Sequence, residues 1–163
     1  MSDFKLKRKV DACFNMINTF RHLPTEAAAE SHFRCIAECL NKGGLYLLGL
    51  HLTPKTAQKC TEERWSASRG ALTVNSCLWS IETNLQARNE RIGMTYDVYT
   101  PTKQFRIQDE TSFRTYSREQ MQRLIDVTPQ LELVDTYDFR YDVEWPIDID
   151  DATEDVVYVL KKS

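Results

Sequence analysis

Glycine is scarce: 5 residues in a chain of 163, where average usage of about 7% would give about 11. Phosphate-cradling and dinucleotide loops are built on glycine clusters, and here only Gly43 and Gly44 stand side by side. Basic charge is also short. Lys and Arg number 21 against 24 Asp and Glu, for a formal net charge of −3. That balance disfavours sequence-independent nucleic-acid binding, which normally shows as a basic domain. No apolar run approaches the ~20 residues of a membrane helix; the longest, Leu45–Leu52, contains His51. The start, MSDFKLKRKVD, has no apolar stretch after its charges, so it does not read as a secretory signal. The five cysteines (Cys13, Cys35, Cys39, Cys60, Cys77) are an odd number without regular spacing. That favours free thiols in the cytoplasm over a disulfide framework.

What remains is the composition of an ordinary folded chain, 42% hydrophobic and 28% charged. Val10–Phe14 reads as a buried strand. Thr25 then caps a helix with Glu26 in its first turn. Ala29, Phe33, Ile36, Ala37 and Leu40 form its apolar face, and Asn41–Gly44 closes it. Leu45–Leu52 is a continuous apolar strand, suited to a sheet covered on both faces. Strand, helix, strand predicts a right-handed βαβ unit.

Leu72–Ile81, Ile92–Tyr99 and Phe105–Tyr116 are rich in Thr, Tyr and Val and predict an antiparallel meander. Ser117 and Gln120 form a capping box ahead of a helix buried through Met121, Leu124 and Ile125. Leu131–Phe139 and Val156–Leu160 are two further strands, separated by a loop with seven acids between Asp142 and Asp155. The chain thus predicts one α/β domain. Residues 1–53 and 117–163 supply sheet and helices, and 54–116 a loop and meander insertion.

Several segments resemble class I S-adenosylmethionine-dependent methyltransferases of the small-molecule type. Asp3-Phe4, then Val10–Phe14 with Asp11, then the Asn-rich turn running to His22-Leu23, resemble the segment that enters and leaves that family's fourth strand. Leu40-Asn41-Lys42-Gly43-Gly44-Leu45-Tyr46 resembles the approach to its fifth strand, with Asn41-Lys42 where Lys-Pro is usual. Phe113-Arg114-Thr115-Tyr116-Ser117 resembles the return from a β-meander insertion. The resemblance covers nearly the whole chain. It implies a Rossmann-like methyltransferase sheet lacking its first three strands, and transfer of a methyl group to a small molecule.

The family's glycine-rich cofactor loop, and the acid ending its second strand, have no counterpart here. Three strand–helix units at ~30 residues each would supply about 90 residues upstream. The resemblance therefore implies a C-terminal portion: a shortened gene product, a misplaced start codon, or one half of a split enzyme. S-adenosyl-L-methionine is the implied cofactor, provided the N-terminal half is supplied.

The implied cofactor residues are Asp3 and Phe4 beside the adenine, and Cys13, Phe14 and Asn15 at the carboxyl end of their strand, where open α/β sheets bind ligands. The implied acceptor residues are Asn18, His51, Arg114 and Tyr116. His51, and beside it His22, is a candidate base, since imidazole titrates near neutrality. Trp65, Trp79, Tyr96 and Tyr99 suit either a substrate lid or the packing of the meander. His32, Cys35 and Cys39 share a helix side without a fourth ligand, so no metal is expected.

A second reading stands beside the enzyme: a non-catalytic methyltransferase-like partner or assembly subunit that does not bind the cofactor by itself. Under either reading the Val10–Phe14 strand needs a neighbour. The expected partners are a small-molecule acceptor and another copy of the chain or the complementing N-terminal half, with neither nucleic acid nor membrane.

Overall fold

The computed structural model describes residues 1–163. The chain divides into two compact units, Met1–Lys59 with Arg114–Ser163, and Cys60–Phe113.

The first unit holds a four-stranded mixed sheet. Its strands are β1 (Val10–Asn15), β2 (Leu40–His51), β7 (Leu131–Tyr137) and β8 (Asp155–Lys162), in the order β1-β2-β8-β7. β1 and β2 are parallel, joined through helix α1 (Glu26–Cys39). β8 runs antiparallel to both β2 and β7. Helix α2 (Arg118–Asp126) precedes β7.

α1 begins where the sequence predicts. The Thr25 side chain accepts from the Ala28 N–H, satisfying one of the orphan donors of the first turn. The box at α2 closes in both directions, Gln120 N–H to Ser117 Oγ and Ser117 N–H to Gln120 Oε1. The apolar sides of both helices meet Tyr46, Leu48, Leu50, Val156, Tyr158 and Leu160 of the sheet in one core. Each large apolar side chain removed from water there contributes about 1.5–3 kcal/mol.

Two expectations change. α1 ends at Cys39, because Leu40 is already extended and pairs with Val10. Asn41–Gly44 therefore belongs to an irregular start of β2 rather than to a helix end. Gly43 sits at φ +78°, and a Cβ on Gly44 would lie 3.0 Å from the Asp11 carbonyl oxygen, so this close crossing of β1 needs glycine. The second change concerns β1, which is an edge strand and not a buried one: Asp11, Ala12 and Phe14 are exposed, Phe14 to 79%. An edge strand has a hydrogen-bonding neighbour on one side only.

The opposite edge is covered. The Ile147 N–H donates to the Thr136 carbonyl oxygen across the outer side of β7, and Thr136 Oγ1 donates back to the Ile147 carbonyl oxygen.

The second unit is one sheet in sequential order: β3 (Glu62–Arg69), β4 (Leu72–Asn84), β5 (Asn89–Tyr99) and β6 (Gln104–Arg114). The meander has four strands where three are predicted, since β3 is exposed at every position and carries no apolar alternation. Its ladder to β4, through a turn at Gly70 with φ +59°, makes it a strand. No helix is long and apolar enough to cross a membrane.

Candidate functional site

The carboxyl ends of β1 and β2 lie side by side, and the antiparallel β8 begins at the same end. The chain leaving β1 is strained there. Ile17 and Asn18 are consecutive left-handed residues, at φ 51° and 62°. A β-branched residue in that region is an outlier, and such strain costs on the order of 1–3 kcal/mol per residue. The Asn18 N–H donates to the Gly49 carbonyl oxygen at 3.2 Å. Asn18 Oδ1 accepts from the His51 backbone N–H at 2.8 Å and from Arg21 at 3.4 Å. Asn18 is thus a latch between the turn and the end of β2.

Asn15 closes β1 and is buried. Its Oδ1 has no hydrogen-bond partner, while its Nδ2 donates to Met1 Sδ at 3.6 Å. A buried amide oxygen without a donor is costly, so this position suits a ligand that brings an N–H or O–H. Cys13 is half-buried and its thiol is held above the usual range by burial and by Cys39.

His51 ends β2. Its Nε2 lies 3.3 Å from Asp155 Oδ1, and its ring lies 5.2 Å from that of Phe139, which stacks on Tyr141 at 5.8 Å with planes 6° apart. Asp155, Phe139 and Tyr141 carry no signal in the sequence. They come from the two ends of the β7–β8 connection: Asp155 reaches His51 through the antiparallel pairing, Phe139 through its ring, and Tyr141 packs on Phe139.

The remaining predicted residues divide. Met1–Phe4 lies along α1, with the Met1 carbonyl oxygen 2.9 Å from His32 Nδ1 and the Phe4 ring 6.0 Å from the His32 ring. Asp3 is exposed beside it. Arg114 is committed to the start of α1, donating to Glu26 Oε2 at 2.9 Å and to the Pro24 carbonyl oxygen at 3.3 Å. Tyr116 is fully buried 5.3 Å from Phe20. The structure brings Asn15, Asn18 and His51 to one end of the sheet and sets Arg114 and Tyr116 among packing residues. His32 does not face solvent: its Nε2 lies 2.8 Å from the Tyr46 hydroxyl.

In the second unit an open groove of about 790 Å³ runs across one face. Trp79, which packs against Gly93, lines it, and two ion pairs, Arg64 to Glu62 and Arg106 to Asp97, border it.

No protein-family model and no curated protein matches the sequence. Solved structures do match. A methyltransferase dependent on S-adenosylmethionine, from Clostridium acetobutylicum, superposes with a TM-score of 0.75 at 15% identity, covering 99% of this chain and 62% of that one. CalS10, an amino pentose methyltransferase from Micromonospora echinaspora, gives 0.70 at 14%, covering 99% and 62%. The sugar N-methyltransferase KedS8 from a Streptoalloteichus species gives 0.67 at 15%, covering 97% and 59%. The chain spans about three-fifths of the length of these structures, and over that length it has the fold of small-molecule methyltransferases dependent on S-adenosylmethionine.

Proposed function

We propose that this chain is the C-terminal portion of an S-adenosylmethionine-dependent methyltransferase that acts on a small molecule. The observation carrying the reading is the match of 99% of the chain to a methyltransferase that is longer by about the segment whose motifs are missing here. The strained, latched end of β1 supports it, because open α/β sheets place their ligands at carboxyl strand ends.

The residues present fit one side of the cofactor. S-adenosylmethionine carries amino and hydroxyl donors, and Asn15 Oδ1 is a buried acceptor lacking one. Cys13 shares the Asn15 face of β1 and Phe14 stands on the opposite, exposed face, while Asp3 and Phe4 lie along α1. A glycine-rich loop for the other side is not among the 163 residues. The cofactor, when bound, supplies an electrophilic methyl group. This chain's own part is to orient the acceptor toward it and to exclude water. Asn18 and His51 border the acceptor side, with His51 its candidate base. Arg114 and Tyr116 support that side from within the packed core.

A second strand must lie along the open edge of β1, from the complementing half or from another copy of the chain. The five thiols are unbonded, in keeping with a cytoplasmic protein. The second reading, a subunit that binds no cofactor alone, is favoured by the missing glycine loop. The two readings separate in one assay: methyl transfer from labelled S-adenosylmethionine to small amines, measured for this chain mixed with the polypeptide encoded directly upstream. Labelled product from the mixture establishes the enzyme. Its absence, with a stable complex formed, leaves the subunit.

A further inference from the structure

β3 is an edge of the second sheet and is exposed along all 8 of its residues. The Ser80 N–H donates to the Thr61 carbonyl oxygen at 2.8 Å, one step before the first pair of the ladder, Glu62 with Trp79. Along a strand in an antiparallel ladder, successive residues turn their backbone groups alternately toward the neighbour and away from it. Glu63, Trp65, Ala67 and Arg69 therefore bond to β4, and Glu62, Arg64, Ser66 and Ser68 turn their N–H and C=O groups outward.

Proteins blunt such an edge with proline, a bulge or repelling charges. β3 has no proline, and its ladder to β4 runs without a register shift. Its charges differ in sign from end to end: Glu62 and Glu63 open the strand, and Arg69 closes it. The strand thus carries its own electrostatic complement for a copy running the other way. A two-fold axis perpendicular to the sheet sets each residue opposite one on the same face. With the axis at Ser66, Ser66 faces the partner's Ser66, Arg64 the partner's Ser68, Trp65 the partner's Ala67, and Glu63 the partner's Arg69. The ion pair occurs at both ends, and no two like charges stand opposite. Moving the axis to Trp65 or to Ala67 sets Glu63 against an alanine and loses the pair. Trp65, 47% exposed, shares a face with Val74, Leu78 and Met94, so the pairing also extends an apolar face from one copy to the next.

We propose that β3 pairs antiparallel with β3 of a second copy of this chain, across a two-fold axis at Ser66, so that two meanders become one continuous sheet. Ser66 exchanges backbone hydrogen bonds with the partner's Ser66, and Arg64 with the partner's Ser68. This interface lies on a different sheet from the open edge of β1, and it holds whether or not the chain is part of a methyltransferase.

The test is sedimentation velocity over a concentration series, run on the Phe14→Lys chain so that association through β1 is suppressed. That chain is expected to form a dimer. Glu63→Arg and Arg69→Glu, each added to it singly, set like charges against one another at both ends and weaken the dimer by about tenfold or more. Mixing the two variants restores an ion pair at both ends, and a mixed dimer of the parent's affinity is expected. That rescue also shows that both variants fold, and it fixes the register. Ser66→Pro removes an outward N–H that the β3–β4 ladder does not use, a place where an edge strand tolerates proline, and it weakens the dimer to a similar degree. A Phe14→Lys chain that is monomeric at every concentration overturns the proposal, whatever else its β3 edge binds. So do single variants that dimerise as the parent does, or a mixture that associates no more tightly than its components.

Discussion

His32 shows how one residue carries both structure and a pH response. It is buried among Phe4, Phe20, Phe33 and Tyr46. The Met1 carbonyl oxygen can only accept, so Nδ1 carries the proton and Nε2 accepts from the Tyr46 hydroxyl. Burial lowers the His32 pKa below its ordinary value, outweighing the contact with Met1. Above about pH 6.5 the imidazole is neutral in both the folded and the unfolded chain, and stability does not depend on it. Below that, the unfolded chain takes up the proton first, so stability falls with pH until the lowered folded pKa is reached. Melting temperature measured from pH 7.5 to 5 is expected to fall more steeply for the native protein than for His32→Gln. Equal slopes would refute this account. At this scale the sequence shows His32 only as a residue on one side of a helix, because its partners, Met1 and Tyr46, lie outside that helix.

The elements formed of strongly patterned sequence are the ones most legible in it. α1 starts at its predicted cap, and α2 has its predicted box and buried face. β2 and β8 are apolar runs that occupy the middle of the sheet. β3 was not legible because nothing in Glu62–Arg69 alternates; pairing with β4 defines it. The candidate site is legible by halves. Asn15, Asn18 and His51 can be read as strand ends, whereas Asp155 joins them through the β2–β8 pairing and Phe139 through its ring contact with His51.

The second unit offers a direct check of packing. A Cβ on Gly93 would fall 2.4 Å from Trp79 Cζ2, so Gly93→Ala must push the indole off its seat. The expected cost is about 1–3 kcal/mol, with a change in tryptophan emission. An unchanged denaturation midpoint and spectrum would show that the indole does not rest there.

For the molecule as a whole, the two sheet edges behave differently. β7 is covered by its own loop, and β1 is open beside Phe14, which is 79% exposed, and Ile17, which is 69% exposed. Open parallel edges pair with whatever strand is offered. In light scattering the isolated chain is expected to form dimers or larger species, and Phe14→Lys to shift it toward the monomer. A native chain that is monomeric at all concentrations would remove the edge argument.

The same edge bears on the shortage of glycine. The chain spans about three-fifths of the length of the methyltransferase structures it matches. No glycine-rich loop lies among these 163 residues. Under the proposed function, this chain provides one wall of a cofactor site completed by another polypeptide segment. Calorimetric titration of S-adenosylhomocysteine tests it most directly, into the chain alone and into its mixture with the polypeptide encoded directly upstream. Saturable heat is expected from the mixture, abolished by Asn15→Leu, and little or none from the chain alone. Tight binding by the chain alone, or none by a stably formed mixture, would contradict it.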